Sequence, residues 1–170
     1  MSCARRGSLR WLTVMVVLML TACATRTPRP QAPDTLFWSG RLALTVASTP
    51  PQSISAGFEL KSQRQSGELQ LISPLGSTLA KLHWVPGQAS LEQGGQIWQD
   101  SSLEALLIRL TGASLPMAAL IDWLQARPTQ VEGWNADLSQ IASGKLWVQS
   151  IPSSQTTLLP QVTLRLVVEP

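Results

Sequence analysis

The chain has 170 residues, of which 44% are apolar, 14% are charged and 5% are aromatic, and its formal net charge is +3. This length and composition predict one domain with a hydrophobic core, and they exclude collagen, long disordered polymers and polytopic membrane proteins. The positive charge is concentrated near the N terminus, because no acidic residue precedes Asp34.

Residues 1–22 have the layout of a secretory signal peptide. Three arginines precede residues 11–20, which are apolar except for Thr13. This run is too short for a permanent membrane span, which needs about 20 apolar residues. It is followed by Leu20-Thr21-Ala22-Cys23, which resembles the lipobox of bacterial lipoproteins, whose cysteine receives diacylglycerol and becomes the first mature residue. We therefore expect cleavage after residue 22 and lipidation of Cys23.

Residues 23–35 are expected to form a tether between the lipid and the folded domain. Three prolines and little apolar content predict an extended, semi-rigid segment. Two acyl chains on Cys23 would hold the protein on a membrane effectively permanently. The next residue is Ala24 and not the aspartate associated with retention in the inner membrane. The resemblance to Gram-negative lipoproteins therefore implies the periplasmic side of the outer membrane.

The mature chain is electrically neutral. Removal of three arginines with the signal peptide leaves ten basic and ten acidic residues. A neutral domain lacks the electrostatic attraction on which nucleic-acid binding depends, so we expect no nucleic-acid partner. Cys3 leaves with the signal peptide, so the mature chain has no pair of cysteines to form a disulfide.

Residues 36–170 predict one α+β domain that begins with an antiparallel meander. Several short segments place apolar side chains at every second position, which is typical of half-buried strands. Lys61–Ser66 is predicted to be a polar connection, and Pro86-Gly87 and Gly94-Gly95 are predicted to be turns. The predicted strands are Arg41–Ala47, Ile54–Leu60, Glu68–Ser73, Thr78–Val85 and Ala89–Glu92.

Two amphipathic helices are predicted after the meander. The first begins at the candidate capping box Ser101–Glu104 and ends at Gly112. The second is predicted over Pro116–Ala126, with proline in the first turn. Lys145–Ile151 and Gln161–Val168 then return to strand patterns. Helices that cover a sheet with one apolar face define an α+β arrangement.

The sequence lacks the local motifs of the common enzyme classes. His83 is the one histidine, and its position in a strand predicts an exposed residue and no metal site. No G-x-S-x-G elbow, phosphate-binding loop or dinucleotide fingerprint occurs. The carboxylates are scattered along the chain, so two of them could form an acid–base pair only if the fold brought them together. We therefore expect no enzyme activity, no metal and no cofactor, with an envelope hydrolase whose site is assembled only in the fold as an alternative.

Four pieces of the chain, taken in order, resemble the LolB family of outer-membrane lipoprotein receptors. They are Trp38-Ser39-Gly40-Arg41-Leu42, Ser55-Ala56-Gly57-Phe58, Pro74-Leu75-Gly76-Ser77, and the stretch from Leu106 to Leu124 that contains Leu115-Pro116, Leu120 and Trp123-Leu124. The resemblance spans Trp38–Ala126 and weakens after it.

This resemblance implies both a fold and an activity. The fold is an unclosed antiparallel β-barrel with short amphipathic helices as a lid over an apolar cavity. The activity is to accept acylated lipoproteins from the soluble periplasmic carrier LolA and to insert them into the inner leaflet of the outer membrane. The partners implied are that carrier, the acyl chains of the cargo and the membrane, and we expect a monomer.

The residues are compatible with such a cavity. Acyl chains gain about 0.8 kcal/mol for each methylene removed from water, so their transfer requires an apolar shelter. An open barrel with inward-facing aliphatic side chains and a leucine-rich lid supplies one. Trp84 and Trp123 are interpreted either as core or as cavity wall. The side chains expected to line the cavity are Leu42, Leu44, Val46, Phe58, Leu60, Leu69, Leu71, Leu82, Trp84, Leu103, Leu106, Leu107, Leu110, Leu120, Trp123, Leu124, Leu146, Val148, Leu164 and Leu166.

Pro74, Leu75 and Gly76 are predicted to form a turn with an apolar tip. Proline and glycine favour the turn, and neither of them requires a leucine between them. Leu75 either folds back onto the sheet or protrudes from it. The resemblance favours protrusion, with Leu75 inserting into the membrane.

A second class of function also fits the sequence. A lipid-anchored structural or accessory protein of outer-membrane assembly would have the same anchor and the same apolar sheet face, but its own side chains would fill that face. An empty cavity would distinguish the receptor from the accessory protein.

Overall fold

The computed structural model describes residues 35–151 and 160–169. The expected signal peptide, the expected lipidation site at Cys23 and the expected tether up to residue 34 lie outside these described residues. Residues 152–159, in the connection between the last two strands, also lie outside them.

The described residues form nine strands and two α-helices. A short 3₁₀ helix, Ile141–Ser143, precedes the eighth strand. The elements in chain order are β1 (Leu36–Val46), β2 (Gln52–Gln63), β3 (Ser66–Ile72), β4 (Thr78–Val85), β5 (Gln88–Gln93), β6 (Gln96–Asp100), α1 (Leu103–Thr111), α2 (Met117–Leu124), β7 (Trp134–Asp137), β8 (Lys145–Ser150) and β9 (Val162–Val168).

All nine strands belong to one antiparallel sheet. Their order is β6-β5-β4-β3-β2-β1-β9-β8-β7, so the last strand along the chain pairs with the first. β6 and β7 stand at the two ends of this order, which leaves the sheet unclosed. With two helices packed on its buried face, the sheet confirms the predicted α+β fold with an open, barrel-like sheet.

Alternation of apolar and polar residues decides which face of the sheet is buried. In β4, Ala80, Leu82 and Trp84 are buried. His83, which lies between two of them, and Val85, which follows them, are exposed. Successive side chains of a strand point to opposite faces, so one face carries the core and the other meets solvent. The exposed strand position predicted for His83 and the buried position predicted for Trp84 are therefore confirmed.

Two-residue turns connect several neighbouring strands. Gly94 and Gly95 join β5 to β6 with φ of +59° and +77°. Two positive φ values give the turn a twist that matches the twist of the flanking strands, and glycine adopts them without steric cost. Arg64 takes the same left-handed conformation, with φ of +54°, in the turn between β2 and β3.

Local signals fix both ends of α1. The Oγ of Ser102 accepts a hydrogen bond from the amide of Ala105 at 3.2 Å, which satisfies one of the free amides of the first turn. Gly112, with φ of +74°, ends the helix and donates its amide to the carbonyl of Ile108 at 2.7 Å. The predicted end at Gly112 is confirmed, and the N-cap is Ser102, one residue after the Ser101 predicted.

Some predicted elements were wrong or incomplete. The polar connection predicted over Lys61–Ser66 is wrong, because β2 continues to Gln63 and β3 begins at Ser66 after a two-residue turn. Pairing with the neighbouring strands holds these polar residues in the sheet in spite of their low β propensity. β6 and β7 were not predicted, since β6 has two adjacent apolar residues and no alternation, and β7 has only four residues.

The two α-helices are short, with nine and eight residues. Within residues 35–151 and 160–169, no helix is long and apolar enough to cross a membrane.

Candidate functional site

A small cavity with an almost wholly apolar lining lies between the middle of the sheet and the two helices. Strands β1, β2, β3 and β9 form its floor, and α1, α2 and the connection between them form its roof. Its lining residues are Leu42, Leu44, Ile54, Phe58, Leu60, Leu69, Leu71, Leu107, Leu110, Thr111, Leu115, Met117, Leu120, Leu124, Leu164 and Leu166.

The cavity lining carries no charged group. Its one polar side chain, Thr111, already has hydrogen-bond partners on the backbone: the hydroxyl oxygen lies 2.8 Å from the carbonyl of Leu107 and accepts the amide of Ala113 at 3.2 Å. A cavity with no unsatisfied polar group offers a ligand only apolar contact.

The cavity is small in the described conformation. Its volume of ≈ 40 Å³ has room for only a few water-sized groups. A long acyl chain needs far more space than this, because it consists of many methylene groups. Any such ligand therefore has to separate the helices from the sheet.

The structure places most of the predicted lining residues around this cavity. Twelve of the twenty line it. The other eight face the core without lining the cavity: Val46, Leu82, Trp84, Leu103, Leu106, Trp123, Leu146 and Val148. Alternation identifies the inner face of each strand, but it does not say which part of that face lies under the helices.

Four lining residues were missing from the predicted set. Ile54 had a usable signal, since it shares the inner face of its strand with Phe58 and Leu60. Thr111, at the end of α1, carries a hydroxyl, so a pattern of apolar residues does not include it. Leu115 and Met117 lie in and after the connection between the helices, where no periodic pattern marks the buried side.

Several contacts hold the helices over the cavity. The guanidinium of Arg109 on α1 lies 4.6 Å from the ring centroid of Trp98 on β6, a cation–π contact that ties the helix to the edge strand. At the end of α2, the indole of Trp123 donates to the carbonyl of Thr129 at 2.8 Å. Trp123 is only 2% exposed and does not line the cavity, which agrees with the first of its two interpretations, a core residue.

The turn between β3 and β4 presents Leu75 to solvent. The side chain of Leu75 is 96% exposed, so it does not fold back onto the sheet. Hydrogen bonds hold the base of the turn: the amide of Ser73 donates to the carbonyl of Ser77 at 2.8 Å, and the amide of Gly76 donates to the carbonyl of Ser73 at 2.9 Å. The Ser73 hydroxyl accepts the amides of Leu75 and Ser77 at 3.3 and 3.2 Å.

These hydrogen bonds give the turn a defined shape. Gly76 adopts φ of +84°, a conformation that side chains with a Cβ rarely take. Pro74 precedes it and fixes its own φ. The chain therefore holds an isolated leucine outward on a structured turn, although burial of that leucine would have been favourable.

Charged groups of the described residues lie away from the cavity. The pKa of Asp137, at the end of β7, is held below its ordinary value by hydrogen bonds from the hydroxyl and the amide of Ser139. No cluster of three or more histidine, cysteine, aspartate or glutamate residues that could hold a metal ion occurs within 35–151 and 160–169.

An open antiparallel sheet with helices over an apolar cavity is typical of proteins that hold an apolar ligand. Comparison with known proteins identifies the family. The family model described as outer membrane lipoprotein LolB matches residues 37–164. This match continues well past Ala126, so the later strands belong to the family as well.

Individual relatives agree with the family model. The chain is 32% identical over 165 residues to an outer-membrane lipoprotein LolB of Bordetella pertussis, with 81% of this chain and 83% of the relative covered. It is 34% identical over 130 residues to the LolB of Azoarcus sp., with 72% and 66% covered. It is 32% identical over 126 residues to that of Chromobacterium violaceum, with 70% and 68% covered. The chain belongs to the LolB family of outer-membrane lipoproteins.

Proposed function

We propose that this protein accepts acylated lipoproteins from the soluble periplasmic carrier LolA and inserts them into the inner leaflet of the outer membrane. The observation that carries this proposal is the pairing of two features: an apolar cavity without charged lining and an apolar side chain held outward on a structured turn. The cavity would shelter the acyl chains, and Leu75 would contact the membrane that receives them.

The cavity supports the first step of this transfer. An acyl chain that enters between sheet and helices would replace contacts between apolar side chains with contacts to its own methylenes. The exchange costs little, because both states keep apolar surface away from water. Opening is therefore compatible with a cavity that is almost filled when no ligand is bound.

The exposed turn supports the second step. Leu75 contacts no core residue that would explain its presence, and its burial in a bilayer would remove a whole leucine side chain from water. Contact between the turn and the bilayer would place the cavity next to the acyl region of the leaflet. Release then requires only that the acyl chains be more stable in the leaflet than in the cavity, since affinity differences set the direction.

We propose that the reaction breaks and forms no covalent bond. The lining has no acid or base, and its one hydroxyl, on Thr111, is hydrogen-bonded to the backbone; transfer of an intact lipoprotein needs none of these groups. The receptor acts as a monomer in this proposal, since one chain supplies both the cavity and the turn.

Cys23 is the proposed membrane anchor. If diacylglycerol is attached there, Cys23→Ser will abolish incorporation of labelled fatty acid and will move the protein from the membrane fraction to the soluble fraction. Incorporation of the label into the Cys23→Ser variant would refute this assignment.

A pair of neighbouring substitutions tests the cavity. Leu42 lines it, and the adjacent Ala43 lies on the exposed face of the same strand. Leu42→Trp fills the space that a ligand needs, so we expect the variant to bind a fluorescent fatty acid much more weakly. Ala43→Trp adds the same ring on the other face and should leave binding unchanged.

The same probe separates the receptor from a structural or accessory protein of outer-membrane assembly. A receptor binds the probe and releases it when an acylated lipoprotein is added. The same lipoprotein without its acyl chains should not displace the probe. Absence of probe binding by the unsubstituted chain would favour the accessory protein. In cells, depletion of the receptor should leave lipoproteins bound to the soluble carrier, and normal sorting would contradict the proposal.

A further inference from the structure

The outer face of strands β3 to β6 changes in polarity along the strands. Far from the Leu75 turn, one row across the sheet consists of Glu68, His83, Ser90 and Gln99, and all four are polar. Such a row is what solvent exposure predicts.

Exposed apolar side chains occur among the polar ones in the rows closer to the Leu75 turn. The next row contains Gln70, Lys81, Glu92 and, at its end, Ile97, whose side chain is 66% exposed. Beyond this row, Leu79 faces outward in β4 and is 42% exposed.

Leu75, Leu79 and Ile97 lie at the same end of the sheet. Leu79 follows Leu75 by four residues, on the strand that leaves the turn. Ile97 lies two strands away from β4, which is about 10 Å at the usual strand spacing. It is close to the turn at Gly94-Gly95, whose two glycines carry no side chains. Leu75, Leu79 and Ile97 therefore form one discontinuous apolar surface, which we call the turn-end surface.

The charges near this surface are arranged so that they do not block it. The ammonium group of Lys81 lies 3.5 Å from the carboxylate of Glu68, which belongs to the polar row farther from the turn. The lysine is thus directed away from Leu79. Glu92 lies on the exposed face between Lys81 and Ile97, so its carboxylate has to remain in water or among polar headgroups.

We infer that the membrane contact of Leu75 extends over the turn-end surface, so that Leu79 and Ile97 also meet the lipid bilayer. The inference rests on the proposed function of Leu75, and the position of Leu79 and Ile97 at the same end of the sheet as that turn identifies the bilayer as the occupant. Leu75 inserts first, while Leu79 and Ile97 lie at the boundary between headgroups and acyl chains. This orientation brings the β4–β6 side of the domain down onto the membrane.

Single-cysteine labelling tests this orientation. The mature chain has Cys23 as its one cysteine, so the mature chain with Cys23→Ala can carry a label at any chosen position. An environment-sensitive fluorophore is placed in turn on Leu75→Cys, Leu79→Cys, Ile97→Cys and Val85→Cys. Val85 is the matched control, because it lies on the same strand and the same face as Leu79, is 37% exposed, and stands at the opposite end of β4.

The fluorescence is recorded before and after addition of vesicles of phosphatidylethanolamine and phosphatidylglycerol. We expect a blue shift at positions 75, 79 and 97 and none at 85. A shift at 75 alone would overturn the extended surface and leave the proposed function of Leu75 intact. A shift of equal size at all four positions would overturn the orientation. No shift at 75, 79 or 97 would overturn both proposals.

A second measurement uses the unlabelled Cys23→Ala chain. Leu79→Gln and Ile97→Gln should each lower its partitioning onto the same vesicles by about threefold, and together by about tenfold, as expected for partial burial of one aliphatic side chain each. Val85→Gln should leave partitioning unchanged. If Leu79→Gln and Ile97→Gln instead lower uptake from the carrier and leave vesicle binding unchanged, the surface binds a protein and the inference is wrong.

Discussion

The cavity and the Leu75 turn use the same kind of side chain in opposite environments. In the cavity, leucines such as Leu60 and Leu107 are 1% exposed and pack between sheet and helices. In the turn, the side chain of Leu75 is 96% exposed. Hydrogen bonds from backbone amides to the Ser73 hydroxyl hold the turn, and this side chain takes no part in them. The buried leucines are explained by folding, and the exposed leucine is not.

This difference separates stability from function. Burial of a leucine side chain contributes about 1.5–3 kcal/mol, so substitutions in the cavity lining change the free energy of unfolding and ligand binding together. A substitution at Leu75 changes no folded contact and reports on membrane contact alone. Substitutions in the two regions should therefore differ in their effect on the free energy of unfolding.

Leu107→Ala should be the most destabilising of these substitutions. Leu107 lies on the buried side of α1 and lines the cavity, so its truncation enlarges a space that the surrounding side chains cannot fill. We expect the free energy of unfolding to fall by about 2–5 kcal/mol in urea titrations. Ile108→Ala, at the adjacent and 45% exposed position, is the control and should cost much less. Equal losses for the two variants would mean that α1 does not pack on the sheet as described.

Gly76→Ala should have a smaller effect, confined to the turn. A Cβ at this position would meet no atom within 4 Å, so the cost arises only from the positive φ and is about 1 kcal/mol. Gly144→Ala is the comparison, because its Cβ would lie 2.6 Å from the carbonyl oxygen of Val168. Urea titrations should show a larger loss for Gly144→Ala, and the reverse order would contradict the described backbone.

Ala126→Gly should stabilise the end of the helical lid slightly. Ala126 adopts φ of +59° just after α2, where helices commonly end in glycine. Relief of this strain is partly offset by the greater freedom of glycine in the unfolded chain, so we expect a gain of about 0.5 kcal/mol in thermal or urea unfolding. A loss of stability would show that the left-handed conformation at this position is wrong.

Much of the sheet could be predicted from the sequence, because alternation and turn residues agree there. The bounds of β4 were predicted as observed, since Ala80, Leu82 and Trp84 alternate with exposed positions and Pro86-Gly87 ends the strand. β6 was missed because Ile97 and Trp98 are adjacent, and its place in the sheet depends on pairing with β5. Local pattern does not show such pairing.

The candidate site was predictable to a lesser degree. The inward face of each strand follows from its alternation, but the extent of the cavity depends on where the helices pack, which is a tertiary property. For this reason Leu82 and Leu146 were assigned to the cavity lining although they lie in the core away from it. Leu75 was recognisable in the sequence because a leucine is an unusual residue at the tip of a turn.

The most direct test of the account measures the stability of Leu75→Glu together with both steps of transfer. The variant should unfold at the same urea concentration as the unsubstituted chain, since Leu75 makes no buried contact. It should take up acylated lipoprotein from the carrier normally and fail to deliver it to vesicles, because a carboxylate at the tip opposes entry into the bilayer. Normal delivery by a stable Leu75→Glu variant would contradict the assignment of Leu75 to membrane contact.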